Sequence, residues 1–245
     1  MDFTFDSYKK LAQTIFEKGY EYCSYHDYLC SKRPCILRHD IDFDLERAAK
    51  FASFEKRIGD ELGVSLKSTY FVLLNTDFYN VYSRTSRQLL SMIIDAGQFV
   101  GLHFDETQYG YDPDLVNIKY HIRKELDVLS DIVEQKIDVV SMHRPSKRFL
   151  DADMQFPGVI NSYSNRFFKD FKYVSDSRMN WRENVSNIVE SGNYNSINIL
   201  THPIWYTEKQ AGHSAIINEF LNRVQLRYDR LLNENISNYR EFLEK

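Results

Sequence analysis

Carboxylates and an imidazole crowd into one short stretch, Cys35-Ile36-Leu37-Arg38-His39-Asp40-Ile41-Asp42-Phe43-Asp44, immediately after an apolar run. Ile36 and Leu37 are the kind of residues that bury a central strand, and the switch to His39-Asp40 marks its exit. Asp40 and Asp42 lie two apart, so in extended backbone their side chains share a face. Like charges held that close repel and raise the pKa of one group unless a cation intervenes. A divalent metal resolves the conflict: one carboxylate becomes a ligand and its neighbour stays free as a base. The plainer reading is that Asp42 or Asp44 caps a helix starting near Leu45.

The same apolar-to-ionisable switch recurs further along. Phe99-Val100-Gly101-Leu102 runs into His103-Phe104-Asp105-Glu106, Ile137 to Ser141 into His143-Arg144-Pro145, and Ile197-Asn198-Ile199-Leu200 into Thr201-His202-Pro203. Tyr173-Val174-Ser175 leads to Asp176, with Trp181 five residues on. Strands of a parallel α/β sheet or barrel deliver functional residues at their carboxyl ends, so these repeats point to one shared site.

Helices must separate those strands. Phe5, Tyr8, Leu11, Ile15 and Phe16 have helical spacing before Gly19, and Leu45 to Leu62 reads as a helix stopped by Gly63. Leu89, Leu90, Ile93 and Ile94 mark another before Gly97, and Ile118, Ile122, Leu126, Leu129 and Val133 a long one, with Asp112-Pro113 as its expected start. Tyr22 to Leu29 is expected to add a short helical turn, and 147–170 an irregular insert. A final helical tract from about Ala211 either covers the open side of a barrel or pairs with another subunit.

The chain has 245 residues, enough for one large α/β domain, and a formal charge of -4 with dispersed basic residues, which argues against a nucleic-acid footprint. Its 17 Tyr and 17 Phe supply a ring-rich core and rings for a sugar-facing cleft. Cys23, Cys30 and Cys35 match neither a zinc signature nor a disulfide framework, so a reducing compartment is expected. No stretch approaches a membrane span, and Met1-Asp2-Phe3-Thr4 lacks the features of a signal peptide, so a cytoplasmic location is expected.

Taken together, Asp40, Asp42, His103, His143, Arg144, Asp176, Trp181 and His202 make the chain resemble a divergent polysaccharide deacetylase, the NodB-homology group or carbohydrate esterase family 4, over roughly residues 35 to 205. The resemblance implies an α/β fold, a distorted (β/α) barrel, here a single domain over 1–245 with N- and C-terminal covering helices. It implies a metal-dependent deacetylase, with one divalent metal, usually zinc, acting on the amide of an N-acylated amino sugar or glycan precursor. By that resemblance Asp40 is the base and Asp42 a metal ligand, and His103 matches the first of two metal histidines. The family's second histidine falls at Thr107, so the third ligand must come from elsewhere: His143 first, then His39 or Asp105. Arg144 would pair with Asp40, Asp176 would support Arg144, Trp181 would wall the acyl pocket, and His202 would be the general acid. Two other readings remain: a non-catalytic sugar-binding or structural barrel with a degenerate metal site, and a hydrolase of another amide or ester. The expected partners are a carbohydrate or amino-sugar small molecule and a second copy bound through the C-terminal helix, with neither nucleic acid nor a membrane span.

Overall fold

Eight parallel strands, the central ones buried on both faces, form one curved sheet in the computed structural model, which describes residues 1–110 and 114–243. In chain order the elements are α1 (Phe5–Glu17), β1 (Glu21–Tyr22), β2 (Pro34–Ile41), α2 (Leu45–Leu62), β3 (Ser68–Leu73), α3 (Arg84–Asp95), β4 (Phe99–Phe104), α4 (Leu115–Val133), β5 (Val139–Met142), α5 (Lys147–Asp151), β6 (Ile160–Asn161), β7 (Lys172–Ser175), α6 (Val185–Ser191), β8 (Ile197–Thr201), α7 (His213–Asn235) and α8 (Tyr239–Leu243). The strand order is β6-β5-β4-β3-β2-β8-β7, with β1 paired to the start of β2. Among the described residues β6 and β7 do not pair, so the sheet is a half-barrel, the distorted (β/α) architecture expected.

β2 is the central strand, and all eight of its residues are buried. It registers Leu37 to Ile41 against Ser68 to Val72 of β3, and Cys35 to His39 against Ile197 to Thr201 of β8. β4 aligns His103 with Leu73 on one side and Ser141 on the other, so the strands end at one level. Side chains alternate between faces. Ile36, Phe71 and Val139 pack inside the half-barrel against Tyr25, Phe167 and Phe171, while Leu37 and Ile41 join the larger core beneath the helices. Inside the half-barrel Gly101 is required, because a Cβ there would sit 2.6 Å from the Phe71 ring.

The helices begin and end where the sequence signals them. Asp44 caps α2 by accepting the Arg47 amide, and Gly63, at φ 68°, closes it. Asp114 caps α4; the expected start at Asp112-Pro113 lies outside the described residues. The segment from Tyr22 to Leu29 differs from expectation: Tyr22 belongs to β1, and only Tyr28–Cys30 forms a 3-10 turn. In α7 only Ile216 and Phe220 are buried, and Arg223 ties the helix to the Asp44 cap.

Candidate metal centre

The alternation of faces decides which side chains meet. In β2 the inward positions are Arg38 and Asp40, continued by Asp42 just beyond the strand; in β4 they are Gly101 and His103, and in β5 Val139 and Ser141, continued by His143. Asp42, His103 and His143 therefore converge, with one ligand atom from each within 4.8 Å of the others. Their spacings are 3.3 Å from His103 Nε2 to Asp42 Oδ1, 3.2 Å from His143 Nδ1 to Asp42 Oδ1, and 3.1 Å between the two imidazole nitrogens. A tetrahedral site with bonds of about 2.0 to 2.1 Å has edges of about 3.3 Å. The buried Asp42 Oδ1 nonetheless has no hydrogen bond of acceptable geometry, and neither has His103 Nδ1. Burial alone would raise the Asp42 pKa, but the two histidines hold it well below the usual carboxylate range. Burial likewise disfavours charge on His143, and Asp42 outweighs it, raising that pKa. An orphaned, ionised oxygen facing two imidazole nitrogens at these separations is a donor set that fits zinc or a similar divalent ion.

Asp40 lies beside this set, with Oδ2 3.6 Å from His103 Nε2. Its expected partner, Arg144, does not reach it. Arg38 does, from the same strand two residues back: Nε donates to Oδ1 and Nη2 to Oδ2, each at 2.8 Å. Burial would raise the Asp40 pKa, and the Arg38 guanidinium outweighs it and holds the carboxylate ionised. Arg38 is itself fully buried, donates to Ser141, and lies over the Phe71 and Tyr163 rings. Arg144 follows the inward His143 and so has the opposite direction; it is 61% exposed and pairs with Asp105, which Thr107 also contacts. That pairing accounts for both Asp105, one of the alternative third ligands, and Thr107.

Asp176 is likewise reassigned. Instead of supporting Arg144 it accepts from the His202 backbone amide at 3.0 Å and binds His202 Nδ1 at 2.6 Å. This leaves His202 Nε2 facing the centre, 3.9 Å from Asp42 Oδ2. Burial opposes protonation of His202, but Asp176 overrides it and pushes the pKa up to about 9. Trp181 stacks on Phe3 with ring centroids 6.4 Å apart and packs on the main core. His39, the other alternative ligand, points to the opposite face of β2: Nε2 meets Glu55 at 2.9 Å and Nδ1 meets Thr201 Oγ1 at 2.6 Å. Glu55 also accepts from Tyr8, Ser68 and Tyr70, a buried network that pins α1 and α2 beneath the motif strand.

Sequence reasoning missed Arg38 and Glu55. The signal for Arg38 was its place two residues before Asp40, the spacing that puts both on one face.

No family model and no curated protein matches the sequence. Solved structures are similar to it in fold alone. In fold the chain resembles the family 4 carbohydrate esterases. One is a CE4 family pseudoenzyme from Bacillus anthracis, at 14% identity and a TM-score of 0.44, over 79% of this chain and 62% of that one. Another is the Xyl-CE4 domain of a multidomain xylanase from the hindgut metagenome of Trinervitermes trinervoides, at 11% identity and 0.44, over 82% and 85%. A third is the peptidoglycan deacetylase PdaC from Bacillus subtilis, at 12% identity and 0.43, over 82% and 96%. The chain thus spans under two thirds of the length of the first of these.

Proposed function

We propose that the chain is a metal-dependent hydrolase that removes an acyl group from an N-acylated amino sugar or glycan precursor. The observation that carries this reading is the set of three ligand atoms of Asp42, His103 and His143, 3.1 to 3.3 Å apart around an oxygen without a hydrogen bond. These three residues would hold one divalent ion, zinc first. When bound, the ion would polarise the acyl carbonyl and ease deprotonation of a water.

The chain's own residues supply the rest. Asp40, kept ionised by Arg38, accepts the proton of the attacking water beside His103. His202, fixed through Nδ1 by Asp176, directs Nε2 into the site, where it stabilises the oxyanion and then gives its proton to the departing amine. Both are rigidly held, Asp40 inside a buried strand and His202 at the end of one.

A cytoplasmic setting and a soluble or lipid-linked sugar substrate accord with three free thiols, Cys23, Cys30 and Cys35. Among the described residues no helix is long and apolar enough to cross a membrane. The test is acyl release from a panel of N-acetylated amino sugars and glycan precursors, with the chain freed of metal and then resupplied with zinc, cobalt or manganese. Metal-dependent release that Asp40→Asn removes while metal binding persists supports the hydrolase. Bound metal without release from any compound of the panel, or from simple amide and ester substrates added to it, would instead support a binding protein.

A further inference from the structure

Beneath α7 runs a cleft of about 1450 Å³, walled by the start of α2, the loop from β3 to α3, and parts of α3 and α4. None of the residues assigned to the metal centre lines it. A pocket for one drug-sized ligand measures about 300 to 1000 Å³, so this space suits an elongated ligand. Its floor is aromatic. Phe78 meets Phe43 at 5.5 Å and Phe220 at 6.1 Å between ring centroids, and it is still 50% exposed. Tyr82 and Tyr228 add two more rings, 62% and 53% exposed. Arg227 joins roof to floor by donating to the Phe78 carbonyl at 3.3 Å.

Polar groups sit among the rings. On the α4 side Asn75 Nδ2 donates to Glu125 Oε1 at 2.7 Å and to Tyr109 Oη at 2.8 Å, and the Tyr109 ring stacks on His121 with centroids 3.7 Å apart. Elsewhere in the lining the side chains of Asp77, Arg230 and Glu234 have no partner among the described residues. The lining carries five Lys and Arg against five Asp and Glu, a balance that offers no attraction to a polyanion. A hydrocarbon chain fits no better, because it would take water from the unpaired groups and return no hydrogen bond. A sugar ring matches both features: its C–H face stacks on an aromatic ring, while the hydroxyls at its edge donate and accept.

We infer that this cleft binds a neutral oligosaccharide, with sugar units stacked on Phe78, Tyr82 and Tyr228 and their hydroxyls bonded to the polar groups between those rings. The ring-rich composition finds a use here that Trp181 does not give it, since that ring is packed on Phe3. The roof of the cleft, α7, lies beyond residues 35 to 205, where the esterase resemblance is found, so the resemblance does not account for the site. The assignment is independent of the hydrolase reading, because the binding uses neither the metal nor its ligands.

Isothermal calorimetry of the full chain with chelator present tests it, using neutral oligomers of glucose, xylose, mannose and N-acetylglucosamine of increasing length. Affinity for at least one series is expected to rise from the single sugar to the longer oligomers, and Tyr82→Ala and Tyr228→Ala should each weaken it about tenfold. Both rings are more than half exposed, so neither change empties the core, and circular dichroism confirms that folding is retained. Unchanged affinity in either variant would place the sugar elsewhere and overturn the inference. Absence of binding across the panel, or binding of dodecanoate in place of every sugar, would overturn it as well. Because chelator is present throughout, a failure of the hydrolase reading would leave the expected result intact.

Discussion

Replacing Arg38 with methionine removes the cation that pairs with Asp40 inside the half-barrel and leaves a side chain of similar length among the same rings. Arg38 is fully buried and Asp40 is 4% exposed, so water cannot take over the two 2.8 Å hydrogen bonds. Breaking such a pair by removing one partner costs about 3 to 5 kcal/mol, mostly the penalty of an uncompensated buried charge. For a domain of this size about 1 kcal/mol moves Tm by about 2 to 4 °C, so the expected loss is about 6 to 20 °C. The sign of the pH dependence follows from Asp40. Its folded pKa lies below the reference 3.8, so its ionised form contributes stability above that value, lost as pH falls through the folded pKa. Without Arg38 the native state favours a protonated Asp40, and the gap between variant and wild type should narrow as pH falls toward 3.8. Thermal unfolding followed by circular dichroism, with chelator present to exclude metal effects, measures both. The double variant Arg38→Met with Asp40→Leu should recover much of the loss, since an apolar pair satisfies the same space. A Tm shift below about 3 °C at neutral pH, or one of equal size at all pH values, would refute the reasoning.

Three further outcomes follow from neighbouring geometry. Burial pushes the Glu125 pKa up to about 7, from a reference of 4.5, beside Tyr109 and Asn75. A raised folded pKa means stability falls as pH rises from 4.5 through 7, so Glu125→Gln should unfold at higher temperature than wild type at pH 8 and match it near pH 4.5. Gly101→Ala drives a methyl into the Phe71 ring 2.6 Å away and should cost about 1 to 3 kcal/mol in urea unfolding; a neutral effect would mean that the ring swings aside. Asp176→Asn should leave metal content unchanged and lower turnover by about 10² or more, because His202 loses the carboxylate that fixes it and favours its protonated form; turnover within twofold of wild type would remove His202 from the chemistry.

How far the sequence revealed the site can be traced through the alternation of strand faces. His103, His143 and Asp42 were legible because each follows an apolar run, and the parallel sheet brings such ends together. Arg144 was misplaced because a motif resemblance located it by neighbourhood, whereas one residue along a strand exit reverses direction; Asp105 is what it meets. Arg38 was hidden for a different reason. The strand seemed to end where ionisable residues begin, yet β2 continues to Ile41 with Arg38, His39 and Asp40 all buried, each satisfied by a partner far away in sequence or on its own face. Hydropathy cannot register a charge whose partner supplies its solvation. Likewise, the role of Glu55 depends on Tyr8, Ser68, Tyr70 and His39, which come from three separate elements, none of them its own helix.

The central claim is that Asp42, His103 and His143 hold one divalent metal, and calorimetric titration of zinc into chelator-treated chain tests it most directly. One equivalent per chain is predicted, lost in Asp42→Ala and in His103→Ala with His143→Ala, and retained in Asp40→Asn and Arg144→Ala. Absence of binding in a folded wild type, or stoichiometric binding that survives loss of Asp42 and both histidines, would contradict it.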